Sequence, residues 1–219
     1  YKCHVGITQV ILEWQKSNIE SQSHFALSSQ MYSVADKDES ISLITIPKPQ
    51  NYYGETKLES HRLIQKYRNE FQVTTSGYIL FNHGSIHSKP GFFLSNLAQQ
   101  INHIRFNKSE KLVVGNPNSR LDISDSRDLC EAVIRNLING ISKDFVLGSG
   151  YLQSIRDIIE PVVEHFNVQS RIHFDEPSRL LPPAIYGNIL ETSALLKWKP
   201  EIDIRETLIE MISGKSLIH

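Results

Sequence analysis

Two β-rich runs joined through one long helical pattern constrain this chain more than any other feature of its sequence. "HFALSS", residues 24 to 29, and "VTTSGYILF", residues 73 to 81, each read as a buried strand. Between them, from Asn51 to about Phe71, the apolar positions Leu58, Ile64, Tyr67 and Phe71 fall at helical spacing. Asn51 is placed to cap that helix, and the prolines of "IPKPQ" discourage helix before it, so residues 33 to 50 read as a loop. A strand, a crossover helix and a second strand make a parallel pair, and such connections are right-handed.

The same alternation runs along the rest of the chain. "VGITQVILEWQKS" sets Ile7, Val10, Ile11 and Trp14 on one stripe, as in an amphipathic helix packed on a core. Further on come the helix "GFFLSNLAQQINHI", the strand "KLVV", the helix "SRDLCEAVIRNLI" and the strand "DFVL". The helix "IRDIIEPVVEHF", expected to kink at Pro161, is followed by the short strand "RIHF" and the helix "IRETLIEMIS". Strands separated by helices imply an α/β fold, with a mostly parallel sheet covered on both faces.

Charge and cysteine content narrow the function classes. A formal net charge of -1 over 219 residues, with lysines and arginines dispersed, gives no field that gathers nucleic acid or an anionic membrane. No apolar run reaches the roughly 20 residues that span a bilayer, and no basic-then-apolar leader opens the sequence. Cys3 and Cys130 cannot form a disulfide framework or a CxxC pair, and Cys130 reads as a buried thiol; a reducing, cytoplasmic setting is expected. His83 and His87 have no third ligand nearby, so no metal is expected.

The chemistry begins at "NYYGETK". Tyr53 and Lys57 stand one turn apart on the expected helix, so their side chains share a face. An ammonium there favours phenolate over phenol, bringing the tyrosine oxygen towards a pH at which it exchanges protons with a sugar hydroxyl. Ser28 lies at the C-terminal end of a predicted strand, the edge of an open parallel sheet at which ligands bind, and its hydroxyl can share the substrate proton.

These residues carry a resemblance. "FALSSQMYS", then "NYYGETK", then "GYILFNH" is similar to the extended short-chain dehydrogenase/reductases that act on nucleotide sugars. Within that group the sequence most resembles the GDP-mannose 4,6-dehydratases and the companion reductases of GDP-4-keto-6-deoxymannose. "VGNPNSRLDISDSRDLCEAV", "DFVLGSG" and "YGNILETSALLKWKP" extend the likeness over nearly all of the chain. It implies a Rossmann-like doubly wound parallel sheet with a small C-terminal substrate-binding lobe. Residues 1–81 and 125–150 would be the remaining part of the NAD(P)-binding domain, and 82–124 and 151–219 the lobe. It also implies NAD or NADP as cofactor, a nucleotide-diphosphate hexose like GDP-mannose as substrate, and a homodimer or homotetramer.

By the same resemblance Tyr53 is the catalytic tyrosine, Lys57 also binds the nicotinamide ribose, and Ser28 orients the C4 hydroxyl. His83 is expected on the cofactor side with Tyr53 and Lys57. Gln30 and Asn82 are expected beside the substrate, and Arg120 beside its diphosphate. Three departures accompany these matches. No GxxGxxG turn for a dinucleotide pyrophosphate is present, so about the first third of the family's fold has no counterpart, and the sequence reads as a fragment, the ordered part of a longer protein or a natural truncation completed by another subunit. Gln30 stands where dehydratases carry an acid that takes the C5 proton, and an amide does not titrate near neutrality. Leu121 stands where relatives tend to have an arginine.

Overall fold

The computed structural model describes residues 2–33, 37–107, 110–175 and 183–214. Helix α1 (Lys2–Lys16) leads into β1 (Gln22–Ala26), a 3-10 turn over Ser29–Met31, and β2 (Glu39–Ile41). Helix α2 (Tyr52–Phe71) starts at Asn51, whose Oδ1 accepts the Gly54 N–H at 2.8 Å, the cap its sequence position predicts. Then follow β3 (Thr74–Leu80), β4 (Asn82–Gly84), α3 (Phe93–Phe106), β5 (Leu112–Gly115), β6 (Arg120–Leu121), β7 (Ile123–Asp125) and α4 (Ser126–Asn139). The chain continues through β8 (Phe145–Leu147), β9 (Gln153–Ser154), α5 (Ile155–His165), β10 (Ile172–Asp175), β11 (Ile185–Gly187), α6 (Leu190–Leu196) and α7 (Ile204–Ser213).

Strands β1, β3 and β8 form a parallel sheet in that spatial order, with Gln22 opposite Thr74 and Tyr78 opposite Phe145. Successive strand residues point to opposite faces, and here both faces are apolar. Ile79, Phe81 and Val146 pack with Leu12 of α1 and Leu58, Ile64 and Tyr67 of α2. Tyr78, Phe145 and Leu147 pack instead with Leu129 and Ala132 of α4 and with Leu196 and Trp198. The sheet is therefore covered on both sides, the doubly wound α/β arrangement that the strand and helix order predicts. A separate core joins α3, α5 and α7 through Leu97, Ile101, Ile158, Val162, Leu208 and Ile212, and builds a lobe beside the sheet. Parallel pairing of β4 with β7 lies between the two. Among the described residues no helix is long and apolar enough to cross a membrane.

Several expectations are corrected. Ile7, Val10, Ile11 and Trp14 are exposed, and α1 turns Val5, Thr8, Leu12 and Gln15 inward. Gln15 tolerates complete burial because its amide donates to the carbonyls of Ser21 and Thr74 at 2.9 and 2.7 Å and accepts from Ser23 Oγ at 2.6 Å. Cys130 is exposed: α4 buries Asp128, Leu129, Ala132 and Asn136, which leaves Cys130 and Ile134 on its outer side. The expected loop at 33 to 50 contains β2, paired in parallel with β11.

Candidate active site

Past Ala26 the chain leaves β1 and crosses the C-terminal edge of the sheet. Ser28, nearly buried, caps the 3-10 turn by accepting the Gln30 N–H on its Oγ at 3.2 Å. The first turn of α2 passes directly over this segment. Gly54 makes the approach possible: a Cβ built there would lie 2.1 Å from the Gln30 carbonyl oxygen, closer than any side-chain carbon comes to such an atom.

Tyr53 and Lys57 project from that turn. Lys57 Nζ lies 5.6 Å from the centre of the Tyr53 ring and donates to the Ala26 carbonyl at 2.8 Å, which holds the ammonium at the end of β1. Burial lowers the Lys57 pKa from the ordinary lysine value, because the charged form loses hydration. Tyr53 is 45% exposed, and the His4 ring of α1 meets it edge-on.

Further down, α2 is fixed to the sheet. His61, one turn beyond Lys57, lies 2.8 Å from Asp144 Oδ2, while Arg68 donates to Asp144 Oδ1 at 2.5 Å and the Gly77 N–H reaches the same oxygen at 3.2 Å. Burial by itself would raise the Asp144 pKa. The hydrogen bonds and charges of His61 and Arg68 outweigh it and hold the carboxyl well below the usual range.

A cleft of about 370 Å³ opens over this edge. Ser28, Gln30, Tyr53, Lys57, Asn82 and His83 all line it, so the fold brings six of the seven expected residues to one place. Asn82 donates through Nδ2 to the Asp122 carbonyl at 3.0 Å, and His83 Nδ1 lies 2.8 Å from the Phe81 carbonyl. Arg120 is elsewhere. Its guanidinium grips Asp38 with both terminal nitrogens, one at 2.9 Å, and Asp38 also accepts the Ala184 N–H at 3.0 Å. Leu121 and Ile123 are on the cleft wall instead. Asp122, fully buried between them, accepts from the Ser149 N–H and hydroxyl at 2.7 Å and from the Gly187 N–H at 2.9 Å, which fixes the loops behind that wall.

Sequence reasoning missed the opposite wall, made by Ser88, Phe92, Phe93 and Leu94. The available signal was the doublet Phe92–Phe93 at a helix start. Phe92 caps α3 from an extended backbone and Phe93 opens the helix, and both stay exposed instead of joining its core.

Comparison with known proteins places these features in context. The family model described as GDP-mannose 4,6 dehydratase matches residues 3–211. The GDP-mannose 4,6 dehydratase of Cricetulus griseus is 23% identical over 187 residues, which are 76% of this chain and 50% of that protein. The structure of RMD from Pseudomonas aeruginosa complexed with NADPH superposes with a TM-score of 0.86 at 24% identity, over 97% of this chain and 72% of that one. The UDP-glucuronic acid 4-epimerase from Bacillus cereus in complex with NAD gives a TM-score of 0.79 at 21% identity, over 96% and 67%. The chain thus spans about half the length of the curated relatives it matches.

Proposed function

The chain belongs to the GDP-mannose 4,6 dehydratase family, within the NAD-dependent epimerase/dehydratase group, and on that premise we propose that it handles a nucleotide-diphosphate hexose by hydride transfer at C4. The observation that carries this reading is the convergence of Ser28, Tyr53 and Lys57 on one cleft at the C-terminal edge of a parallel sheet. In this reading Tyr53 exchanges a proton with O4, Lys57 stabilises the tyrosine's negative charge, and the Ser28 hydroxyl fixes O4. The substrate is expected against Asn82, Gln30 and the aromatic wall, with the lobe around α3 and α5 holding its nucleotide.

NAD or NADP, as expected from the sequence, would supply or accept the hydride when bound. Lys57 and His83 fit its nicotinamide end, because both face the cleft beside Tyr53. A glycine-rich turn for the pyrophosphate is not found in these 219 residues, so the residues present fit only that end of the cofactor. The exposed stripe Ile7, Val10, Ile11 and Trp14 on α1, which packs beside α2, supports pairing of two copies through these helices.

Between the reactions of the group, Gln30 favours reduction of a 4-keto sugar, or epimerisation at C4, over dehydration. Elimination needs a group that takes up and returns a proton at the neighbouring carbon, and an amide cannot. Two incubations test the assignment. GDP-4-keto-6-deoxymannose with NADPH should lose absorbance at 340 nm, and GDP-mannose with NADP should give no 4-keto product. Accumulation of 4-keto product from GDP-mannose would overturn the preference. Inertness in both, with no saturable quenching of nicotinamide fluorescence, would leave a binding subunit as the reading.

A further inference from the structure

The side-chain amide of Gln30 is oriented by its neighbours. A main-chain N–H can only donate, so Asn51 presents Oδ1 to Gly54, at 2.8 Å, and it is the Nδ2 of the same side chain that comes within hydrogen-bond distance of Gln30. That nitrogen donates to Gln30 Oε1 at 2.9 Å. The Nε2 of Gln30 therefore turns away from Asn51. Among the described residues it has no hydrogen-bond partner, and the exposed Gln30 lines the same cleft as Ser28 and Tyr53. The main chain of Gln30 is tied down as well, its N–H on Ser28 Oγ at 3.2 Å and its carbonyl under Gly54. One residue thus joins the serine turn to the cap of the helix that carries Tyr53 and Lys57, lines the cleft, and carries two N–H donors that turn away from Asn51.

We propose that Gln30 is a specificity-determining residue that selects hexoses bearing an acceptor oxygen next to the carbon held by Ser28 and Tyr53. Asn51 is its positioning residue. This rests on the function proposed above. The donor pair gives a substrate oxygen a partner, and a substrate without one leaves the amide unpaired once water is excluded, which is how a polar site rejects a deoxy analogue.

Asn51→Asp is the informative variant. Aspartate caps a helix as well as asparagine does, so α2 keeps its start, but a carboxylate only accepts. Gln30 must then turn its Nε2 towards it and show Oε1 to the cleft. Gln30→Met, which keeps the length of the side chain and removes the donors, is the second variant. Two measurements decide. By NMR, the Gln30 Nε2 protons should exchange with water at least tenfold more slowly in Asn51→Asp than in the wild type. In binding titrations, the 3-deoxy analogue of GDP-mannose should bind the wild type about tenfold more weakly than GDP-mannose itself. That difference should vanish in Gln30→Met, which offers the cleft neither donor nor acceptor amide.

The inference is overturned if the Gln30 protons are already protected in the wild type, if the 3-deoxy analogue binds it as tightly as GDP-mannose, or if the discrimination survives in Gln30→Met. Failure of the functional reading has another signature, no shift of any cleft resonance on adding GDP-mannose. In that event the proton-exchange comparison still decides the orientation of Gln30.

Discussion

Replacing Gly54 by alanine should damage both fold and site, although the usual rule for helices points the other way. Gly54 lies inside α2 with an ordinary helical backbone, and there Gly→Ala normally stabilises by about 0.8–1.0 kcal/mol. The added carbon, however, would lie 2.1 Å from the Gln30 carbonyl oxygen and 2.9 Å from its carbon. Normal contact is about 3.5 Å, so the overlap is more than an ångström. The obstructing atoms are backbone, so no rotamer change relieves the clash and one of the two segments must move. Overpacking of this kind costs about 1–3 kcal/mol, and at this overlap the upper half of that range applies. Subtracting the propensity gain leaves a net loss of roughly 1–2 kcal/mol, or about 2–8 °C in melting temperature for a chain of this size.

The functional cost should be larger. A displacement of about 1 Å between the turn bearing Ser28 and the helix bearing Tyr53 is worth roughly 100-fold in turnover. Gly6→Ala supplies the control, because Gly6 also lies within a helix and a Cβ there meets nothing within 4 Å. Its melting temperature should rise or hold. Calorimetry of both variants with the 340 nm assay makes the comparison. A Gly54→Ala protein that melts at or above the wild-type temperature would refute the steric argument, and so would a destabilised Gly6→Ala.

Asp144→Asn removes the carboxylate shared by His61 and Arg68 and should cost about 3 kcal/mol at pH 7 in urea unfolding, since it leaves buried partners uncompensated. The Asp144 pKa is depressed in the fold, so its contribution is complete above the unfolded aspartate value of about 3.9 and fades as pH falls through the folded value; the wild-type advantage over Asp144→Asn should hold from pH 7 to about 5 and narrow below about 4. Tyr53→Phe should lower turnover by about 10²–10⁴-fold while the melting temperature stays within a degree or so, because the side chain is 45% exposed and its loss disturbs little packing. Arg120→Ala breaks a half-exposed pair with Asp38 worth less than about 1 kcal/mol, and KM for the nucleotide sugar should change by less than about threefold; a tenfold rise would show that Arg120 leaves Asp38 to bind the diphosphate.

Local order and chemistry were legible in the sequence where one residue's conformation depends on its near neighbours. The run of strands and helices, the cap at Asn51 and the shared face of Tyr53 and Lys57 all follow from spacing and from the preferences of individual residues. The end of the strand "HFALSS" pointed to Ser28, the family likeness added Gln30, Asn82 and His83, and the fold brings all four to the same cleft. Arg120 lies apart from them, paired with Asp38. Its position was legible, but its partner, Asp38, comes from a distant loop that no local pattern connects to it.

The tertiary structure alone decided which apolar residues are inside. Helix α1 carries apolar residues around most of its circumference, so its own pattern cannot choose between Ile7–Trp14 and Val5–Leu12; the hydrogen bonds of Gln15 to β1 and β3 make the choice. The same holds for Cys130 on α4, and for Phe92 and Phe93, which line the cleft at the start of α3. Orientation of the Gln30 amide is the most remote of these properties from the sequence. It depends on a donor in one helix and a side chain in another turn meeting within 3 Å, an arrangement that exists only once the chain has closed on itself.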